Sequence, residues 1–233
     1  GGDARAGLNA IELGVLTTEK GADGKIRIDL ETAAECIQKR VVRYDKTGDQ
    51  HYDTISAFIK SMRGSDPDAA IYYLAKMLYA GEDIKFISRR VMICAAEDVG
   101  LADPQALVVA TAAAQAVERI GMPEARIILA EAVNYVATAP KSNASYLSID
   151  AALASVKNQK TTVPPHLQDA HYKGSAKLGH GLGYQYAHDF PEHYVKQQYL
   201  PAEIEGMRFY HPTDIGYEKQ AGERLERLRK REE

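Results

Sequence analysis

Asp66-Pro67-Asp68-Ala69-Ala70-Ile71-Tyr72-Tyr73-Leu74-Ala75-Lys76-Met77-Leu78-Tyr79-Ala80-Gly81 reads as one complete helix with both ends spelled out. Asp66 supplies an N-cap oxygen for the first-turn N–H groups, and Pro67, which lacks an N–H, suits the first helical position. Ile71, Leu74 and Leu78 form an apolar stripe, and Gly81 offers the left-handed position that closes a helix. The same punctuation recurs downstream. Asp83 caps a helix carrying Ile84, Ile87, Val91 and Ala95 on one face and stopping at Gly100, and Asp103-Pro104 opens the next, which ends at Gly121. Pro123 starts another through Ile127, Ile128, Ala132, Val133 and Val136, closed by Pro140, and Ser142 or Ser145 caps a last one that reaches Val156. Five helices joined by links this short predict antiparallel neighbours and an all-α core.

Upstream, Ile55, Phe58, Ile59 and Met62 predict a helix from Asp53 to Met62, and Ala33, Ala34, Ile37 and Val41 another from Leu30 to Val42. Lys39, Arg40 and Arg43 close the second, where the helix dipole favours cations. Gly21-Ala22-Asp23-Gly24-Lys25, with Ile26 and Ile28 beyond it, predicts a turn and a short extended piece. As a calcium loop it lacks ligands at Gly21 and Leu30; as a phosphate loop its spacing is wrong and it follows a helix. No other Walker-like sequence is present. At the start of the chain, Asp3 suits an N-cap, and Arg5 projects from the first turn with a guanidinium that matches phosphate oxygens. On these residues alone, a capped helix with a solvated arginine accounts for the same stretch.

After Val156 the composition changes. Prolines stand at 164, 165, 191, 201 and 212, glycines at 179, 181 and 183, and six of the seven histidines fall here. This punctuation predicts a loop-rich segment with short helices at Lys196 to Leu200 and Tyr217 to Arg231. Tyr172, Tyr184, Tyr186, Tyr194, Tyr199, Phe209 and Tyr210 are expected to pack onto the helical body. His180, His188 and His193 with Asp189 and Glu192 invite a metal reading, but no tight ligand pair such as i, i+4 is present, and histidines bonded to loop carbonyls are the better expectation.

The chain carries 29 Lys and Arg against 32 Asp and Glu, a formal charge of −3, so a globally basic nucleic-acid binder is excluded and any DNA contact must come from a local patch. Lys157, Lys160, Lys173 and Lys177, interleaved with His171 and Tyr172, are the candidates for such a patch, joining phosphate contacts to a stacking ring. Cys36 and Cys94 sit in helical apolar patterns and read as buried free thiols. Glu97-Asp98, with Arg89 and Arg90 upstream, read as surface ion pairing or an inter-subunit contact. Nothing resembles a nucleophile elbow. Neither a leader nor an apolar run of about 20 residues is seen, so a soluble, intracellular protein is expected.

Several stretches carry a resemblance that spans most of the chain: Gly2-Asp3-Ala4-Arg5 with Leu8-Asn9; Tyr44-Asp45-Lys46 through His51-Tyr52; Ile55-Ser56-Ala57-Phe58 with Lys60-Ser61; Arg63-Gly64-Ser65-Asp66 leading to Asp68-Ala69-Ala70; Ala96-Glu97-Asp98-Val99-Gly100-Leu101-Ala102-Asp103-Pro104; Ala139-Pro140-Lys141-Ser142-Asn143; and Asp169-Ala170-His171-Tyr172 through Gln198-Tyr199-Leu200-Pro201. With them the sequence resembles the C-terminal part of the RarA/MgsA family of replication-associated recombination ATPases, AAA+ proteins related to clamp-loader subunits and to the Werner helicase-interacting protein. The resemblance implies an all-α chain: residues 1–48 as the remnant of an AAA+ lid, 49–156 as a clamp-loader-collar-like helical oligomerisation domain, and 157–233 as a loop-rich appendage. It implies that Arg5, capped by Asp3, is the sensor-2-like arginine facing nucleotide in the intact protein, although Ala6-Gly7 replaces the usual basic residue and alanine. It also implies a Walker core upstream that binds ATP and Mg, leaving this stretch catalytically silent. Further implications are a homotetramer, contacts with DNA ends or single-stranded and forked DNA and with single-strand-binding protein, and a cytoplasmic, nucleoid-associated location. The alternative is a DNA-structure binding module acting in its own right, or an adaptor for single-strand-binding protein.

Overall fold

The computed structural model describes residues 11–12, 14–18, 20–21, 24–30, 32–33, 49–171 and 178–230. It divides into two compact units, residues 1–53 and 54–233. In the first, residues 11–12 and 14–17 are helical, and the predicted turn is present, with Gly21 N donating to Lys25 O at 2.9 Å and Gly24 N to Gly21 O at 2.8 Å. Residues 25–29 join no ladder, so the extended piece expected at Ile26 and Ile28 is plain connecting chain; among the described residues nothing is paired with it as a strand. Asp29 then accepts from Thr32 N at 2.9 Å, the N-cap of the helix expected from Leu30, most of which lies outside the described residues together with Cys36, Lys39, Arg40 and Arg43.

No strand occurs among the described residues. The helices are α1 Asp49–Arg63, α2 Pro67–Tyr79, α3 Ile84–Cys94, α4 Gln105–Ile120, α5 Ala125–Thr138, α6 Ala144–Asn158 and α7 Gly216–Lys230. The capping aspartates act as the spacing predicts. Asp66 Oδ1 accepts from Ala69 N at 2.9 Å, Asp83 Oδ1 from Lys85 N at 3.0 Å, and Asp103 Oδ1 from Gln105 N at 3.1 Å. Two starts fall later than the sequence suggests. Regular α5 begins at Ala125, since the residues after Pro123 close a tight turn first, with Ile127 N donating to Glu124 O at 2.9 Å. Before α6, Ser142 Oγ accepts from Ala144 N at 3.3 Å, so Ser142, of the two serines, fills the capping role.

The core lies around α5, whose Ala125, Leu129, Ala132, Val133, Val136 and Ala137 are all buried. Ala106, Ala110 and Ala113 line the buried face of α4, and residues this small let α4 and α5 pack closely along their lengths. The link at 121–124 is short enough to make them an antiparallel pair. Leu74 and Met77 of α2 and Ile87 and Val91 of α3 close over α5, and Phe58 and Met62 of α1 complete the cluster. Each of these large side chains is almost wholly removed from water, at about 25 cal/mol per Å² of apolar surface.

Among the described residues, the segment after α6 contains only single 3-10 turns before α7. Lys196 to Leu200 is not helical. Pro201 biases Leu200 toward the extended region, and Tyr194 is already extended at φ −130° and ψ 134°. Tyr194, Phe209 and Tyr210 are partly covered, whereas Tyr184, Tyr186 and Tyr199 stand about half exposed, so the tyrosines do not all pack onto the body as expected; Tyr172 lies outside the described residues.

Candidate functional site

Three motifs that are far apart in sequence end at one corner of the second unit. Arg63, the last residue of α1, places Nε 2.5 Å from Asp98 Oδ1 and Nη2 3.0 Å from Glu97 Oε1. Asp98 lies in a π turn, Ala95–Val99, that continues α3 and is followed by a 3-10 turn, Gly100–Ala102. Lys141, just past α5, folds back over that helix: its Nζ donates to Ala137 O at 3.0 Å, Ala139 O at 2.5 Å and Ser65 Oγ at 3.1 Å. A helix end leaves its last carbonyls unpaired, and Lys141 satisfies them while tying the end of α1 to the end of α5. Ser142 N donates to Asp98 O at 2.8 Å. The approach is so close that a Cβ on Gly100, at φ 52°, would stand 2.6 Å from the Ser142 carbonyl oxygen.

The last helix is fastened to the same corner. Glu218 of α7 is fully buried and accepts hydrogen bonds from Ser142 Oγ, from Thr213 Oγ1 at 2.6 Å, from Tyr210 OH at 2.7 Å and from Thr213 N at 3.2 Å. Gly216 precedes it at φ 56°, where any Cβ would collide with the backbone of Ala102.

The electrostatics follow from burial and these partners. Burial pushes the Glu218 carboxyl up, but the donors on Ser142, Thr213 and Tyr210 outweigh it and the net shift is down, so the group stays ionised. Burial, and then donation to Glu218, push the Tyr210 phenol up to about 12, which keeps it a proton donor. The hydrogen bond to Asp98 raises Arg63 against a smaller effect of burial, whereas burial lowers Lys141. Cys94, buried beneath, has its thiol pushed well up, first by burial and then by Asp98, so it stays protonated and is a poor nucleophile. No pairing of a nucleophile with a base is present among these residues. The corner holds helix ends in register.

Asp98 is therefore not a surface group paired with Arg89 or Arg90. Arg89 lies over the Phe86 ring, 5.9 Å from its centroid, and the pairing arginine is Arg63, 35 residues away in sequence. A signal for this was present: Ile87, Val91, Cys94 and Asp98 are spaced 4-3-4, which places the carboxylate on the buried stripe.

A second feature lies on α6, where Ala144 is the only buried residue. Tyr146, Ile149, Leu153 and Val156, spaced 3-4-3, form one apolar stripe with exposures of 44, 54, 49 and 74%. Lys157 and Lys160 lie exposed at and just beyond the end of that helix. Lys173, Lys177, Tyr172, Asp3 and Arg5 fall outside the described residues. Among the described residues, no group of three His, Cys, Asp or Glu is placed to hold a metal. His166 and His211, rather than the histidines for which it was expected, each bring Nε2 to a loop carbonyl, Gln198 O at 2.8 Å and Arg208 O at 3.1 Å, whereas His188 sets its ring 5.1 Å from that of Tyr186 and 4.7 Å from that of His193. No helix among the described residues is long and apolar enough to cross a membrane.

A small-residue helical bundle with motif-bearing helix ends, following a shorter helical unit, is the architecture of an AAA+ C-terminal helical region. Comparison with known proteins agrees: the AAA C-terminal domain family matches residues 1–63, and the MgsA AAA+ ATPase C-terminal family matches residues 64–229. The chain belongs to the MgsA AAA+ ATPase C-terminal family. It is 51% identical over 217 residues to replication-associated recombination protein A of Bacillus subtilis, covering 93% of this chain and 51% of that protein. To the Escherichia coli K12 protein of the same name it is 42% identical over 226 residues, 96% of this chain and 51% of that one. The ATPase WRNIP1 of Dictyostelium discoideum is 35% identical over 228 residues, covering 90% and 26%. The chain thus spans about half the length of the bacterial relatives it matches.

Proposed function

We propose that this chain is the oligomerisation and DNA- and partner-contacting region of a DNA-dependent AAA+ ATPase that acts in replication, recombination and repair at stalled forks. Residues 1–48 belong to the ATPase lid in this reading, 49–156 form the oligomerisation domain and 157–233 the appendage. ATP and Mg belong to the intact protein, in which Arg5, capped by Asp3, faces the nucleotide phosphates; the chain alone hydrolyses nothing. Single-strand-binding protein and the DNA of stalled forks are its associates, met in the cytoplasm at the nucleoid.

The observation that carries the assembly reading is the α6 stripe. Four large apolar side chains at helical spacing, 44 to 74% exposed, form a seam that water does not favour and that a second copy covers. The names of the bacterial relatives support the replication setting. Light scattering on the chain is expected to give the mass of four copies, and Ile149→Glu with Leu153→Glu to give single chains with an unchanged circular dichroism spectrum. A monomeric parent chain overturns the reading, and a tetramer that survives both substitutions moves the interface off α6.

A further inference from the structure

The last helix and the loop before it enclose two adjoining clefts. One, of about 510 Å³, lies between α7 and the 208–212 segment and is lined by Arg208, His211, Arg229 and Lys230. The other, of about 500 Å³, is lined by Tyr194, Lys196, Tyr199, Arg208 and Arg229. They share Arg208 and Arg229, so cations line both, with Lys196 in one and Lys230 in the other. In a chain of net charge −3 this is a concentration of positive charge, with Glu205 and Glu226 the carboxylates in the lining. Glu226 is drawn toward Lys230 at 3.9 Å, while neither shared arginine pairs its guanidinium with a carboxylate among the described residues.

The cleft also presents an aromatic face. Tyr199 is 52% exposed, yet its hydroxyl accepts from Gln197 Nε2 at 2.9 Å, and that same nitrogen donates to Gln185 O at 2.8 Å. The ring is held at its edge and open on its surface, which limits the side-chain entropy lost when a flat ligand stacks on it. The backbone beneath is equally fixed, because Tyr210 at one end of the 208–212 segment donates to the buried Glu218 and His211 braces Arg208 O.

We infer that this double cleft is a binding site for single-stranded nucleic acid, with Arg208 and Arg229 contacting successive phosphates and Tyr199 stacking against a base. Two guanidiniums shared by adjoining clefts fit a repeating anion better than a single phosphate, and a pinned, exposed ring in the same lining suits an unpaired base, whose face a duplex would hide. The inference rests on the DNA-contacting part of the proposed function and places that contact away from the Lys157 and Lys160 end of α6.

Fluorescence anisotropy of the full chain with a labelled oligothymidylate, read at two salt concentrations, tests it. The parent chain is expected to bind, Arg208→Gln with Arg229→Gln to bind at least tenfold more weakly, and the magnitude of the salt slope to drop by about 1.4, the loss of two single-strand phosphate contacts. Tyr199→Ala is expected to lose about tenfold with the slope unchanged, since stacking releases no counterions. All three side chains are exposed, and unchanged melting verifies the fold. A parent chain that binds while these variants match it overturns the cleft and leaves the DNA reading standing; so does a loss confined to Lys157→Ala with Lys160→Ala. A parent chain that ignores the oligonucleotide at low salt overturns both, and binding of an acidic peptide in its place assigns the cations to a protein partner.

Discussion

Glu218 shows how a buried carboxylate serves a helical protein when donors surround it, and Asp98 how one does so on a single arginine, its Oδ2 buried without a partner. Removing one partner of such a group costs more than the bond itself contributes, because the remaining polar atoms stay buried and unpaired. Glu218→Ala strands Ser142 Oγ, Tyr210 OH and Thr213 Oγ1 together, and a loss of about 3 kcal/mol in urea unfolding is expected. Arg63→Ala leaves Asp98 covered and unanswered; since Arg63 is itself half exposed, the expected loss is smaller, about 2 kcal/mol. Asp98 was open to reading from its place in the apolar stripe, and reading Glu97-Asp98 as an adjacent surface pair obscured it. Glu218 carried no such signal: it stands in a charged helix, and its donors lie 5 to 76 residues away.

Helix ends were the most legible elements, because caps are local chemistry and Asp66, Asp83 and Asp103 need only their own first turns. The π turn was not legible, since one extra residue in a helical turn is fixed by tertiary contacts and leaves no mark on spacing. The loop-rich segment was recognised by composition, but the helix expected at 196–200 gave way to the proline that follows it. Gly100 and Gly216 mark where turns meet the neighbouring backbone, and each combines positive φ with no room for a methyl group. Gly216→Ala is expected to lower stability by about 2 kcal/mol or more, and thermal melting of this variant beside Gly206→Ala, at positive φ with open space around it, separates crowding from backbone strain alone.

On a larger scale, α7 meets the helices before it through one ionised group, Glu218, and acid sets the limit of that contact. A carboxyl held below its ordinary value stabilises the fold above that value, and the contribution is lost as pH falls through the lowered one. Glu218 is such a group, so acid unfolding of the parent chain is expected to include a step that Glu218→Gln removes, seen by following α7 amides and Leu129 methyl signals by NMR across the titration. The core itself is set by α5, and Leu129→Ala is expected to cost about 2–5 kcal/mol whatever the pH. That an all-α chain would result was plain from the sequence. Which apolar stripes face inward was not, because the α6 stripe and those of α2 to α5 have the same periodicity and differ only in what the fold lays against them.

The burial of Glu218 near the start of α7 also has a mechanical side. Beyond its first turn this helix buries only Leu228, so it is gripped at one end and lightly held along the rest. Arg229 stands 11 residues further on, about 16 Å along the axis at 1.5 Å per residue. A tilt of about 10° at the grip therefore sweeps the Arg229 end through about 3 Å, roughly half the pitch of one helical turn. The carboxylate is thus the near anchor of α7 and Leu228 the far one, and the aim of Arg229 and Lys230 follows from both.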